Sequence, residues 1–269
     1  MDFLCRSSAL TDTGKCRRVN EDALLDNPQA GVWVVADGMG GHARGAAASR
    51  YVVDAFRYFA PEGTLDANVK QARRCIEAAN DRVYTESSLL ARCQVMGSTI
   101  AALVVDGDAF AALWAGDSRV YHCRAGQLRR MTQDHSVAQR LVDAGKLKAS
   151  EAHAHPTASR ITRAVGARAA VAIDEVRGTL QAGDRMLLCS DGLTGEVQEV
   201  EIATLLTEFD AQAAAAELMA LALERGARDN VTVAVLETER QRRTEPFDPD
   251  ITQVNVQLSR QAACAGPGF

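Results

Sequence analysis

Three observations predict an α+β domain built of packed layers. Apolar runs of strand length recur along the chain, several are separated by tight polar turns, and the helical patterns come in clusters, not one after each strand. The tight turns favour mainly antiparallel sheets, because a parallel pair needs a long crossover connection.

Residues 32–36, 99–105, 109–115, 120–123, 186–189 and 231–235 are the apolar runs, each bounded by Gly, Asp or Asn. Each reads as a strand buried on one or both faces. Asp106-Gly107-Asp108, the stretch from Arg124 to Gln127 and the stretch from Gln181 to Asp184 carry turn residues and predict hairpins. Between the first two runs, Ala48, Tyr51, Val52, Ala55, Phe56 and Phe59 make one helical face; Val69, Ala72, Ile76, Ala79 and Val83 make another. Both helices are expected to lie against a sheet. Near the C-terminal end, Ala215, Leu218, Met219, Leu221, Ala222 and Leu223 form a broader apolar surface that stops at Gly226. From residue 237 the chain turns charged and holds Pro246 and Pro249. Residues 1–236 therefore read as the folded domain, and 237–269 as a charged linker and flexible tail. Within that tail, Val254, Val256 and Leu258 alternate as an edge strand would.

The chain has 269 residues, 47% of them apolar, enough for a sizeable core. A formal net charge of -5 gives no electrostatic reason to expect nucleic acid or an anionic membrane as partner. No basic start leads into an apolar stretch, and no run approaches the ~18 apolar residues of a membrane span. A cytoplasmic monomer without membrane insertion is the expectation. Seven cysteines without a C-x-x-C pair suggest reduced thiols used in packing, not a disulfide framework or zinc site.

The chemistry lies at the strand ends. Asp37-Gly38, Gly116-Asp117 and Asp191-Gly192 each follow an apolar run, and Asp229-Asn230 stands directly before another. A turn explains any one of these. Recurring placement at the lip of a core brings like charges together, which is unfavourable unless cations neutralise them. Oxygen ligands suit magnesium or manganese and argue against zinc or copper; for calcium, the D-x-[DN]-x-[DN]-G loop with its glutamate is missing. Arg17, Arg18, Glu21 and Asp22 add charge of both signs close together, and Arg can grip two phosphate oxygens at once. The glycine-rich stretch 38–45 lacks the Lys-Ser/Thr ending of a nucleotide-binding loop. Close packing around metal ligands explains its glycines, and leaves Gly38 able to offer its carbonyl.

In order, Arg17-x-x-Asn20-Glu21-Asp22, Ala36-Asp37-Gly38-Met39-Gly40-Gly41-His42, Gly97-Ser98-Thr99, Gly116-Asp117-Ser118-Arg119, Thr132-x-Asp134-His135-Ser136, the stretch from Ile161 to Gly166, Ser190-Asp191-Gly192-Leu193 and Asp229-Asn230-Val231-Thr232 resemble the metal-dependent type 2C protein phosphatases of bacterial type. The resemblance implies a four-layer α-β-β-α sandwich, two antiparallel sheets flanked by helices. It also implies hydrolysis of phosphoserine and phosphothreonine in proteins by a hydroxide bridging two manganese or magnesium ions. In the family pattern Asp37 bridges the ions, the Gly38 carbonyl adds a ligand, and Asp191 and Asp229 complete the set. Asp22 binds metal or its waters, Asp117 with Asp191 makes a weaker third site, and Arg17 holds the phosphate. Asp37, Asp191 and Arg17 carry the catalysis, and the implied partners are phosphoproteins, including a bacterial Ser/Thr kinase or its substrates.

Many eukaryotic members have a His general acid where this chain has Met39, so the acid is left unassigned between His42 and a water. His135 is explained by helix capping through Asp134 or Ser136. Residues 136–160 match the variable flap beside the active site, or form a helical insertion. Two alternatives remain: a phosphomonoesterase of the same fold acting on small molecules, and a non-catalytic phosphoprotein-binding module.

Overall fold

A computed structural model of the chain describes residues 3–40, 43–89, 96–152, 155–157 and 160–240. Its strands are β1 (Phe3–Asp12), β2 (Asp22–Asn27), β3 (Val32–Met39), β4 (Gly97–Ser98), β5 (Ile100–Asp106), β6 (Ala109–Ala115), β7 (Arg119–Arg124), β8 (Gln127–Arg130), β9 (Asp174–Thr179), β10 (Arg185–Cys189) and β11 (Val231–Arg240). Its helices are α1 (Ala43–Ala55), α2 (Leu65–Ser88), α3 (Val137–Asp143), α4 (Asp191–Thr194), α5 (Glu199–Glu208) and α6 (Ala211–Glu224). One sheet runs in the order β1-β11-β10-β7-β8; the other runs β2-β3-β5-β6-β9, with β4 beside β3. The registered pairs are antiparallel.

Alternation along the central strands sets the layers. On β3, Val32, Val34 and Ala36 pack with α1 and α2, while Trp33 and Val35 point into the space between the sheets. On β10, Leu187 and Cys189 face α5 and α6, while Met186 and Leu188 meet Trp33 and Val35. Strands buried on both faces explain the continuous apolar runs, and three apolar layers between four structural ones give the α-β-β-α sandwich. The expected faces of α1 and α2 are buried. Thr64 caps α2 and Asp210 caps α6, each accepting a backbone N–H with its side chain.

Several boundaries differ from expectation. The helix carrying Ala48 and Val52 ends at Ala55, and Phe56 and Phe59 follow it, still buried with ring centroids 6.2 Å apart. The turn from Gln181 to Asp184 closes as expected, with the Gln181 N–H donating to Asp184 at 2.8 Å, yet it joins β9 in one sheet to β10 in the other. Turn residues fix a reversal, not the sheet that the next strand joins. The last strand continues past residue 236 to Arg240, because β1 supplies a ladder partner along its whole length, from Asp12↔Val231 to Phe3↔Arg240. Glu237 to Arg240 thus belong to the folded domain. Residues 241–269, with Val254, Val256 and Leu258, lie outside the described residues. Among the described residues, no helix is long and apolar enough to cross a membrane.

Candidate metal centre and active site

The two sheets bring their aspartates to one edge. Asp22 begins β2 directly opposite Asp37 on β3. Like charges in that relation destabilise a sheet. Asp117 sits on the turn from β6 to β7, which passes between the sheets, and Asp191 opens α4 just after β10. Asp229 lies just ahead of β11. Asp37 feels the charges of Asp22, Asp191, Asp117 and Asp229 together.

Hydroxyl groups from the opposite sheet hold Asp22. Its Oδ2 accepts from Ser190 Oγ at 2.8 Å and from Thr232 Oγ1 at 2.7 Å. Its Oδ1 is buried and, among the described residues, has no hydrogen-bond partner. A buried carboxylate oxygen left this way is costly. The Asp37 peptide is clamped on both sides: its N–H donates to Thr99 Oγ1 at 2.9 Å, and its carbonyl accepts from Ser98 Oγ at 3.0 Å. Ser118 Oγ lies 2.7 Å from Thr99 Oγ1, which ties the Asp117 turn to the same point.

Burial and mutual repulsion raise these carboxyl groups out of their ordinary range. Asp22 is pushed up to about 7, by burial first and then by Asp191 and Asp229, against the hydrogen bonds from Thr232 and Ser190. Asp37 and Asp117 are raised well above the usual value, again by burial first, then by neighbouring aspartates. Asp191 is raised by burial first and then by the charge of Asp229.

Arg17 is placed unexpectedly. Its Nη2 donates to Asp229 Oδ2 at 2.7 Å, with both side chains half-exposed. The loop that carries it is stapled by Asn230, whose Oδ1 accepts from the Glu21 N–H at 2.8 Å. Asn230 Nδ2 donates to the carbonyls of Thr13 at 2.8 Å and Val19 at 3.0 Å. In the sequence Asn230 is legible only as a motif member without a role, and the same is true of Ser190, Thr232 and Thr99. Close backbone approach explains two glycines. A Cβ on Gly38 would stand 2.0 Å from the Gly45 carbonyl oxygen, and one on Gly192 would stand 2.0 Å from that of Asn230.

Of the two expected caps of α3 it is Ser136 that serves, accepting from Gln139 N at 3.1 Å, while Asp134 takes the Arg119 guanidinium. His135 Nδ1 accepts the Gly116 N–H at 3.1 Å and Nε2 faces Asp174 at 3.1 Å, so this ring has no free nitrogen for proton transfer to a substrate. His42 lies outside the described residues.

This edge fits hard divalent cations. The donors are oxygens, one buried oxygen is orphaned, and the carboxyl groups are charged only at a cost that a cation would remove. Among the described residues, no three His, Cys, Asp or Glu side chains surround a single point as a metal cage. An ion held by one or two carboxylates, with water completing its shell, needs none. A cleft of about 1080 Å³ opens from Asp117, Asp191 and Asp229 and runs between Gln139 and Val142 of α3 on one side and Val197 and Gln198 on the other.

The sequence and the fold have counterparts among known proteins. Residues 16–233 match the family described as Protein phosphatase 2C. The serine/threonine protein phosphatase PstP of Mycobacterium tuberculosis is 37% identical over 241 residues, 87% of this chain and 45% of that protein, so the chain spans about half of that relative's length. The serine/threonine phosphatase stp of Listeria monocytogenes is 32% identical over 85% of this chain and 94% of its own. Among solved structures, PppA, titled a key regulatory component of T6SS in Pseudomonas aeruginosa, superposes with a TM-score of 0.81 at 39% identity, covering 88% of this chain and 100% of that one. The catalytic domain of PstP in complex with 2 manganese ions gives 0.79 at 33% identity, over 88% and 100%. With four-fifths of its length matched and the sandwich in place, the chain belongs to the protein phosphatase 2C family.

Proposed function

We propose that this chain is a metal-dependent phosphatase that removes phosphate from phosphoserine and phosphothreonine in proteins, opposing a Ser/Thr kinase of bacterial type. The observation that carries this reading is that aspartates from two sheets, Asp22, Asp117, Asp191 and Asp229, act together on the buried Asp37, while Asp22 keeps a buried, unpartnered oxygen and Arg17 pairs with Asp229.

Asp37, Asp191, Asp229 and the Gly38 carbonyl would hold two manganese or magnesium ions, with Asp22 acting directly or through water. Asp117 with Asp191 would hold a weaker third. Divalent cations held there supply positive charge against the phosphoryl oxygens and bring the pKa of water toward neutrality. Arg17 supplies the protein's own cation: half-exposed and paired only at the surface with Asp229, it can turn to grip phosphoryl oxygens at little cost. A thiol nucleophile is not needed. Burial pushes the Cys189 thiol up to about 12 and the Cys5 thiol up to about 11, which leaves both unreactive. The cleft beside α3 has room for a peptide segment next to the phosphoryl site, which favours a protein substrate over a small metabolite. The ligand carboxylates and Arg17 are all present, which argues against a non-catalytic binding module.

The test measures phosphate release from an aryl phosphate, phosphothreonine peptides and nucleotides, with manganese, with chelator, and in Asp37→Asn and Asp191→Ala. Activity requiring manganese, lost in both variants and faster on peptides than on nucleotides, is expected. Full activity in chelator, or in both variants, overturns the mechanism. A peptide rate no better than the nucleotide rate favours the small-molecule reading.

A further inference from the structure

His135 is built into the turn that carries Asp117, and nothing in the proposed chemistry uses it. Gly116 precedes Asp117 with φ +122, and a Cβ there would stand 2.6 Å from Thr99, so the turn depends on a strained, glycine-only backbone. His135 grips Gly116 at both ends. The Gly116 N–H donates to Nδ1 at 3.1 Å, and the Gly116 carbonyl accepts the His135 backbone N–H at 2.8 Å.

The ring is held so that it can do this. Because Nδ1 accepts, it carries no proton; Nε2 carries it and donates to Asp174 Oδ2 at 3.1 Å. Arg163 pairs with the other oxygen of Asp174 and fixes that carboxylate. The indole of Trp114 stacks on the imidazole at 6.0 Å and 10°, and its own N–H is anchored on the Gln133 carbonyl at 2.8 Å. The side chain is only 10% exposed. Burial also holds its pKa below the usual value, consistent with a neutral acceptor. The Thr162 N–H donates to the His135 carbonyl at 2.6 Å, so the same residue also ties the base of the 136–160 segment to the Asp117 turn.

We propose that His135 is a positioning residue for Asp117: by accepting the Gly116 N–H in a tautomer fixed by Asp174, it sets the turn from which Asp117 reaches the weaker cation site. The proposal rests on the reading of Asp117 as a ligand. Outer groups that orient ligands in this way are worth about 10–100-fold in metal affinity.

Two substitutions separate the ring's nitrogens. H135N places an acceptor oxygen near the position of Nδ1, whereas H135Q places its amide near that of Nε2 and leaves the Gly116 N–H without a partner. Manganese binding to the full chain is measured by titration calorimetry for wild type, H135N, H135Q and D117N, with thermal unfolding in chelator to confirm that each variant folds. D117N is expected to remove the weakest site; H135Q should weaken that site about ten-fold, and H135N should stay within about three-fold of wild type. Amide exchange at Gly116, measured in chelator, should be faster in H135Q than in H135N. If H135Q binds manganese like wild type, or if both His variants weaken it equally, His135 is only a packing residue. If D117N leaves every site unchanged, the ligand role of Asp117 falls and the proposal falls with it.

Discussion

Replacing Asp22 by asparagine should stabilise the protein in chelator at pH 8 and destabilise it at pH 4.5. A carboxyl that titrates near 7 in the folded chain and near 3.8 in the unfolded one favours folding in its protonated form. Its contribution is fully present below 3.8 and is lost as pH rises through about 7. At pH 8 the loss is about 4 kcal/mol, at ~1.4 kcal/mol per unit between the folded and unfolded values. In Asp22→Asn the side-chain oxygen would keep the bonds from Ser190 and Thr232. The amide nitrogen would replace the orphaned Oδ1 with a buried donor lacking a partner, at about 1–3 kcal/mol.

The variant should therefore gain roughly 1–3 kcal/mol at pH 8 and lose up to about 2 kcal/mol at pH 4.5, where folded wild-type Asp22 is neutral and its ionisation in the unfolded chain costs only about 1 kcal/mol. Manganese should reverse the order at pH 8, since a ligand at 100 times its dissociation constant adds about 2.7 kcal/mol to whichever protein binds it. Urea unfolding, followed by the fluorescence of Trp33 and Trp114, measures all three conditions. A difference between variant and wild type that is flat with pH in chelator, or that favours wild type at pH 8, would refute the electrostatic account of this edge.

Manganese binding near pH 7 should release protons, because burial and repulsion push Asp22 up to about 7 in the ion-free protein. Calorimetric enthalpies that do not differ between buffers of different ionisation heat would contradict this. Asn230→Ala removes three hydrogen bonds that staple the Arg17 loop, and should cost about 2–4 kcal/mol in thermal unfolding and raise KM more than it lowers kcat. An unchanged KM would separate that loop from substrate binding. Arg17→Gln should raise KM for a phosphopeptide while tightening manganese binding a few-fold, since the surface pair it breaks is worth only about 0.2–1 kcal/mol. Weaker manganese binding in that variant would show that Arg17 supports Asp229 and does not compete for it.

The central strands were legible because both faces are buried: β3, β5, β6, β10 and β11 read as unbroken apolar runs. The edge strands were not. β1 mixes Arg6, Ser7 and Ser8 with apolar residues, and β9 carries Asp174, Glu175 and Arg177, so neither shows a run or a clean alternation. Missing β1 also placed the end of β11 too early. In the site, Asp37, Asp117, Asp191 and Asp229 stood out because each adjoins an apolar run, and Asp22 because it closes the charged stretch that begins at Arg17. Their supports did not, because the Thr232–Asp22 bond spans 210 positions and the Arg17–Asp229 pair spans 212, and no local pattern records such a contact.

The placement of Asp22 links the architecture to the chemistry. Its main chain belongs to the β2–β3 sheet, but its hydrogen bonds come from Ser190 and Thr232 at the ends of β10 and β11 in the other sheet. The distance between Asp37 on one sheet and Asp191 and Asp229 at the edge of the other is therefore set by the layer that separates them. That layer consists of Trp33 and Val35 against Met186, Leu188 and Ala234, all buried. Val35 lies two residues before Asp37, and Leu188 three residues before Asp191. A cavity in this layer would cost stability and would also let the two halves of the carboxylate cluster drift apart. Repulsion within the cluster favours such drift in the ion-free protein, and tight packing of the middle layer opposes it. The fold thus holds the aspartates in an arrangement that they would not adopt without it, and cations held there would relieve the strain that remains.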